Sequence, residues 1–416
     1  MSPTIRAAGL LAAIALAALV APLGLAALAA LALVVATALD AAALRFQPKV
    51  RRVVPPVISR GVPTPLMIEA TVPGAGRVRL RQPAPAGIAL EPAQGDCAHL
   101  ESRIVASVRG RHVLPAVGIR AEGRLGLGAW HHQAGDAAEV HVYPDLVLAR
   151  HLAVAAREGR LLDSSRRARG PLGLGTDFES VREWLPDDDV RHVNWPATVR
   201  MGRPMTNRYR LEQAREIVFL LDAGRLMSAP LGDRTRLDVE LDALAAVALA
   251  ADELADHCGA IAFDAEIRAH LRPRRASGKT VVRSLFDLQP RPLDSDYARA
   301  FRLVAAGKRS LVFVFCDLFD EAAAQALVDA VPVLARRHAV TVATVSDPDL
   351  IELVRTEPAK PDDVYAAAAA LDLLDARARA AALVRRAGAR VVEAPPGAFP
   401  GACVRAYLTA KARLRL

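Results

Sequence analysis

The sequence predicts a multidomain chain built from an N-terminal transmembrane helical hairpin, an all-β sandwich and an α/β doubly wound domain. Three observations carry that reading. Ala7 to Leu44 is apolar apart from Asp40, residues 50–145 alternate in short runs broken by Pro and Gly, and beyond Glu216 apolar β-branched runs alternate with helical stretches. The boundaries so read are 1–49, 50–145, a connector and polar segment over 146–215, and 216–416.

Composition limits the function classes. The chain has 416 residues, 52% of them hydrophobic, which supplies cores for two or three domains and excludes a mainly disordered protein. Its net charge of +9 comes from 54 basic and 45 acidic residues, but the arginines are scattered and aromatic residues make up only 4%. Nucleic acid is therefore a weak expectation, because a basic footprint with stacking partners is missing. Cys97, Cys258, Cys316 and Cys403 are far apart with no C-x-x-C pair, a pattern that suits a reducing compartment rather than a disulfide framework or zinc site.

As one helix, Ala7 to Leu44 would be roughly 57 Å long, well beyond a hydrocarbon core of about 30 Å. Pro22 and Gly24 divide it into Ile5 to Val20 and Leu23 to Leu44. Two spans folded back on each other account for the whole stretch, whereas a cleaved signal peptide leaves the second apolar half unexplained. Arg6 precedes the pair and Arg45, Lys49, Arg51 and Arg52 follow it, so the positive-inside rule puts both ends in the cytoplasm.

In the middle region the expected strands are Leu66 to Val72, Arg77 to Arg81, Ser102 to Val108, Val113 to Val117 and Glu139 to Tyr143. Such spacing specifies an antiparallel sandwich of about 100 residues. The adjacent His131 and His132 read as a solvated turn rather than a metal site, since neighbours in a strand point to opposite faces. Leu146 to Leu162 reads as a helical or irregular connector, and Asp163 to Gly175, rich in Ser, Arg and Gly, as a surface loop.

Beyond Glu216 to Asp222, an apolar strand ending in an acid, the chain alternates regularly. Helices are expected over Leu237 to Asp256, Lys279 to Leu288, Tyr297 to Ala306, Glu321 to His338, Asp372 to Ala387 and Phe399 to Leu416. Strands are expected over Gly259 to Phe263, Ser310 to Cys316, Ala339 to Val345 and Arg390 to Val392. Strands separated by helices of this length specify a parallel sheet, with ligands at the carboxyl ends of its strands. Asp222 and Asp317 sit at such ends.

The densest polar stretch lies before that first strand. Gly175, Phe178, Arg182-Glu183-Trp184, Pro186, Asp188-Asp189, Arg191, Asn194-Trp195, Ala197, Arg200 and Asp222 follow one another in a fixed order. The pattern resembles the hallmark of the bacterial domain of unknown function 58 family. Asp187 stands where that family carries Gly, Val199 where Ala is common and Trp184 where Tyr is usual. The resemblance implies a membrane-attached protein with a von Willebrand factor A-like α/β domain, and a MoxR-type AAA+ ATPase as partner. Arg182, Glu183, Trp184, Asp188, Asp189, Arg191, Asn194, Trp195 and Arg200 are the expected structural or partner-binding residues. Arginine–carboxylate pairs there would form an ordered brace, with Trp195 covering the pairs.

In a von Willebrand factor A domain the first strand ends in D-x-S-x-S, whose acid and hydroxyls help to hold Mg²⁺. This chain reads Asp222-Ala223-Gly224-Arg225-Leu226, so two side-chain oxygens are missing and Arg225 adds positive charge. The expected site at Asp222 and Asp317 is thus degenerate, and no cofactor is expected, Mg²⁺ being the alternative. Gly278-Lys279-Thr280 copies the end of a phosphate-binding loop, but a basic segment precedes it rather than a core strand. The leading reading is a non-enzymatic, membrane-anchored interaction protein. The alternative is a metal-dependent binding protein or enzyme using Asp222, Asp317 and Asp320.

Overall fold

The structure, a computed structural model, describes residues 1–20, 22–161, 172–185, 193–210, 215–319 and 321–413. The chain divides into two compact units, Met1–Asp145 and Leu146–Leu416.

The first unit begins with β1 (Ser2–Pro3) and two apolar helices, α1 (Ile5–Ala17) and α2 (Leu23–Ala42). Pro22, which has no N–H to lose, stands at the N-cap of α2, where a proline costs least. Of the two, α2 is long and apolar enough to cross a membrane, with a mean hydropathy of 2.2, while α1 is shorter. Eleven strands follow: β2 (Lys49–Val53), β3 (Val57–Ser59), β4 (Thr64–Thr71), β5 (Ala75–Arg81), β6 (Ile88–Glu91), β7 (Gln94–Gly95), β8 (His99–Ala106), β9 (Gly110–Leu114), β10 (Val117–Gly123), β11 (Gly128–Ala134) and β12 (Ala138–Tyr143).

They form sheets ordered β1-β11-β10-β5-β7, β2-β4-β8-β6 and β3-β12-β9. Pairing is antiparallel except between β3 and β12. Burial alternates along β4, β8 and β10, as expected where one face of each sheet meets a core and the other meets water. Leu66, Ile68, Leu80, Ile104, Leu114, Ile119 and Val140 from the three sheets meet in one apolar cluster. The strand expected over Val113 to Val117 is two strands, because Pro115 cannot donate to a ladder and breaks the run between β9 and β10. His131 and His132 lie in β11, not in a turn. Their rings go to different partners: His131 Nε2 is 3.3 Å from Ser2 Oγ, and His132 Nε2 is 2.8 Å from the Leu44 carbonyl.

Both helices are tied to the turn between β10 and β11. Thr4 caps α1 and also donates its hydroxyl to the Gly126 carbonyl at 2.6 Å, while its backbone N–H donates to Leu127 at 3.0 Å. From the far end of α2, Asp40 accepts the N–H groups of Leu125, Leu127 and Gly128 at 3.1, 2.9 and 3.1 Å. Gly128 is required by this approach, since a Cβ there would meet the Thr37 carbonyl oxygen at 2.5 Å and the Ala41 nitrogen at 2.6 Å.

The second unit opens with α3 (Leu146–Arg157), followed by a hairpin of β13 (Leu172–Glu183) and β14 (Met205–Arg210) with α4 (Trp195–Met201) between them. Residues 172–175, expected in a loop, belong to β13; residues 163–171 of that loop lie outside the described residues. Then come β15 (Glu216–Asp222), the two-residue strands β16 (Pro230–Leu231) and β17 (Arg234–Thr235), α5 (Arg236–Glu253), β18 (His257–Phe263), β19 (Ile267–Arg275), α6 (Gly278–Leu285) and α7 (Tyr297–Ala305). The chain continues through β20 (Leu311–Phe315), α8 (Glu321–Ala335), β21 (Ala339–Val345), α9 (Pro348–Arg355), α10 (Pro361–Arg386), β22 (Arg390–Ala394) and α11 (Phe399–Arg413).

The main sheet is ordered β19-β18-β15-β20-β21-β22. It is parallel except for β19, which pairs antiparallel with β18 and corrects the expectation of an all-parallel sheet. This edge strand is basic and half exposed, a composition that discourages edge-to-edge association. Helix α5 is buried from Arg236 to Ala251 apart from Asp238, because it packs against α3, α6 and α11 as well as the sheet. Helix α10 starts at Pro361, well before the expected Asp372. Pro361 suits the first turn, and Asp363 accepts the Ala359 and Lys360 N–H groups at 3.0 and 2.9 Å, so the alanine run behind them is helical.

A buried polar knot holds α11 to the start of β18. Asp256 accepts from Lys411 Nζ at 2.7 Å, Tyr407 Oη at 2.5 Å and the Arg215 N–H at 2.9 Å. Asp256→Ala would strand a buried ammonium and is expected to destabilise the chain by about 3–5 kcal/mol in denaturant melts. Arg157→Ala, which breaks the exposed pair with Glu253, should change stability by no more than about 1 kcal/mol. Equal effects of the two substitutions would show that the knot is not a buried network.

Candidate functional site

From β15 the chain builds the sheet outward in one direction through β18 and β19, then returns to lay β20, β21 and β22 on the other side. The crevice beyond the carboxyl ends of β15 and β20 is therefore a topological switch point, where open α/β sheets place their ligands. Asp222 ends β15 and Asp317 lies two residues beyond β20; both are buried.

Each acid is committed to a partner within the chain. One Asp222 oxygen accepts the Gly224 N–H at 2.8 Å and the Ser295 hydroxyl, and the other accepts the Tyr297 hydroxyl at 2.5 Å. Burial pushes the Asp222 carboxyl above the usual carboxylate value, and these hydrogen bonds pull against that shift. Ser295 also explains the glycine at 224. A Cβ on Gly224 would collide with the Ser295 hydroxyl and meet the Leu293 carbonyl oxygen at 2.7 Å, so a hydroxyl side chain cannot stand there. Arg225 turns outward and pairs with Asp294 at the surface.

Asp317 is held by two guanidinium groups. Arg377, from α10, donates to Oδ1, and Arg236, the first residue of α5, brings Nε to 3.4 Å from Oδ2. Arg236 also donates to the Val345 carbonyl at 3.0 Å and to Asp347 at 3.2 Å, which ties the ends of β20 and β21 to the start of α5. Burial lowers the Arg236 guanidinium from its ordinary value and Asp317 opposes that effect; a cation of the chain itself thus sits against Asp317 and Asp347.

One turn along α5, Glu240 is buried, and its Oε2 has no hydrogen-bond partner among the described residues. Burial, followed by Asp222 and Asp317, raises its pKa well above the usual value, so it is held protonated. Burial likewise raises the Tyr297 hydroxyl and the Cys316 thiol well above their usual values, which leaves both un-ionised and weakly nucleophilic. No group of three or more metal-ligating side chains is arranged around an ion position among the described residues. Sequence reading found Asp222 and Asp317 and missed Arg236, Glu240, Ser295, Tyr297 and Arg377. An Arg and a Glu one turn apart at the start of an otherwise Leu-, Ala- and Val-rich helix was the available signal.

The Gly278-Lys279-Thr280 run begins α6, and Asp252 already accepts the Gly278 and Lys279 N–H groups at 2.8 and 3.2 Å. A carboxylate thus fills the position a phosphate would need.

Among the described hallmark residues, Arg182 and Glu183 end β13, Trp184 follows it, and Asn194, Trp195, Ala197 and Arg200 lie at or in α4. Arg182 donates to the Glu183 carbonyl at 2.8 Å, and Glu183 pairs at 3.3 Å with Arg203, an exposed contact. Asn194 caps α4 by accepting the Ala197 N–H at 2.9 Å, and Gly202 ends it in the left-handed region. Trp184 is half-buried just after β13; its backbone N–H donates to the Pro204 carbonyl at 2.9 Å, and its indole N–H has no hydrogen-bond partner among the described residues. At the first helical position the Trp195 side chain faces outward, 65% exposed, with Val199 one turn later 82% exposed and Arg200 exposed beside it. Asp188, Asp189 and Arg191 lie outside the described residues, as does Asp320.

The chain is thus a multidomain α/β protein with a β-rich first unit and one N-terminal helix able to cross a membrane. Residues 180–386, within the second unit, match the family model described as "Protein of unknown function DUF58", which supports that family. No curated protein matches the chain. Among solved structures, the sulfur carrier protein SoxY from Chlorobium limicola f thiosulfatophilum is similar to a part of it. The two are 17% identical over 22% of this chain and 77% of that one, with a TM-score of 0.15.

The direction of the Glu240 shift sets a pH dependence. A carboxyl whose folded pKa is raised holds its proton in the native state while the unfolded chain has lost it, so stability falls as pH rises from the usual carboxylate range through the folded value. Within that window the fall is at most about 1.4 kcal/mol per pH unit. Glu240→Gln keeps the shape of the protonated acid and should flatten the decline, making the variant the more stable protein at pH 8. Unfolding midpoints of both proteins between pH 5 and 8 check this, and parallel profiles would contradict it.

Proposed function

We propose that the chain is a membrane-anchored, non-enzymatic interaction protein whose second unit is a von Willebrand factor A-like domain that works without a bound metal. The Arg236 guanidinium carries the reading: it stands among Asp317 and Asp347 at the switch point, where a metal-dependent domain of this kind would keep room for a cation. The strand order, with one antiparallel edge strand, agrees with that fold.

The anchor is α2 together with α1, which packs against it as the second arm of a hairpin. Arg6 before the pair, and Arg45, Lys49, Arg51 and Arg52 after it, support an orientation with both units in the cytoplasm of a bacterium, at the inner membrane. Within the second unit the exposed Trp195, Val199 and Arg200 offer an apolar and cationic face for a protein partner. The family resemblance makes a MoxR-type AAA+ ATPase the partner, and assembly or maturation of other proteins the task.

Calorimetry on the detergent-solubilised chain tests the metal-free reading: no Mg²⁺ binding at micromolar concentrations is expected. Micromolar affinity lost on Asp222→Ala would establish the metal-dependent alternative instead. A reporter fused to the carboxyl terminus is expected to be active only on the cytoplasmic side, and a periplasmic signal would overturn the orientation. Trp195→Ala and Val199→Ser should weaken capture of the ATPase without lowering the unfolding midpoint.

A further inference from the structure

The outer face of the five-stranded sheet in the first unit carries an open hollow of about 550 Å³ that no step above uses. Its walls follow from register. Arg79, Arg120 and His131 are direct cross-strand neighbours on β5, β10 and β11, and Arg81, Gly118 and Gln133 form the next row on the same face. Gly118 has no side chain, so the centre of the second row is a dip flanked by a guanidinium and an amide.

The cations here are only partly neutralised. Asp96 pairs with Arg79 and, at 3.5 Å, with Arg77, while Glu122 lies 3.5 Å from one end of Arg120. The Arg120 Nε is buried and has no hydrogen-bond partner, and Arg81 has no ion pair, among the described residues. Burial, with help from Arg120, lowers His131 from its ordinary value, so at neutral pH its imidazole adds a hydrogen-bond donor rather than a further full charge.

We propose that this hollow binds a phosphate-bearing anion, gripped by Arg81 and Arg120 over the Gly118 floor. Planar guanidinium groups match phosphate oxygens in pairs, and a sheet face holds them in fixed register. The headgroup of an anionic lipid is the favoured source. The Arg79–Arg120–His131 row lies four residues along β10 from Arg124, or about 13 Å from the turn that receives both the start of α1 and the end of α2. That assignment of source rests on the membrane reading; the binding of phosphate does not.

The test uses the full chain in an uncharged detergent, titrated calorimetrically with inorganic phosphate and with glycerol 1-phosphate at about 0.15 M salt, where exposed charges are screened beyond about 8 Å. Saturable binding is expected, weakened at least tenfold by Arg81→Gln combined with Arg120→Gln. Gly118→Val, which fills the floor and leaves every charge in place, should weaken it comparably, whereas Arg103→Gln on the exposed face of β8 should not. No saturable binding of either probe, or equal binding by all four proteins, would overturn the proposal. A second arm places the chain in phosphatidylcholine nanodiscs containing spin-labelled phosphatidylglycerol. An immobilised fraction above that of labelled phosphatidylcholine, lost in the double variant, identifies the lipid as the source. Binding of the soluble probes without that preference identifies a free phosphate ester.

Discussion

A carboxylate at the end of a buried strand needs a counter-ion or close hydrogen-bond donors to offset its lost water, and the second unit supplies a counter-ion at Asp317. The attraction of two charges in a low-dielectric interior offsets their loss of water only when the geometry is good and the remaining protons are satisfied. Arg236 supplies the opposite charge and also reaches a carbonyl and a second carboxylate, while its Nε proton has no hydrogen-bond partner among the described residues. The consequence for the fold is considerable: the start of α5, the ends of β20 and β21 and the middle of α10 are fixed to one another through a single guanidinium–carboxylate cluster. Asp222 solves the same problem with neutral donors from Ser295 and Tyr297, and Glu240 solves it by keeping its proton.

Strands β15, β20 and β21 were legible because a parallel strand buried on both faces reads as an uninterrupted apolar run, and for β21 even the limits Ala339–Val345 coincide with the reading. Strand β19 was not, since an edge strand rich in Arg and containing Pro273 carries none of that signal. Strands β10 and β11 were missed for a different reason. Glycine, histidine and charged residues dominate their outer faces, and most of the buried positions between them are Ala or Gly, with Val117 and Ile119 the larger ones. For the site, the two acids were visible as sudden charges at the ends of apolar runs. Their partners were not, because Ser295, Tyr297 and Arg377 lie 60 or more residues away in the chain and only the closed sheet brings them near.

The same logic reinterprets the missing hydroxyl at Gly224. From sequence it looks like the loss of a ligand, yet space is the stronger constraint there. The segment from Leu293 to Ser295 crosses so close to the backbone that only glycine fits, and the hydroxyl it brings takes the position beside Asp222. In the hallmark hairpin, too, the sequence pattern and the packing part company. Asn194 and Gly202 serve as the two ends of a short helix, which is a local backbone role, while the aromatic between them is left to solvent.

The shared anchoring of α1 and α2 at one turn has a consequence in a bilayer. Thr4 and Asp40 hold the start of one helix and the end of the other at the same depth, but the 13 residues of α1 rise about 20 Å and the 20 residues of α2 about 30 Å. In the membrane-anchored reading proposed above, the shorter arm stops inside the hydrocarbon layer and the link to α2 passes through it. The link is suited to that place: Leu19, Val20 and Leu23 are exposed and apolar, the N–H groups of Ala18, Leu19 and Val20 are bonded to carbonyls of α1, and Pro22 has none. Such an insert is mismatched on one side only, so it favours a locally thinned membrane and disfavours a thick, ordered one.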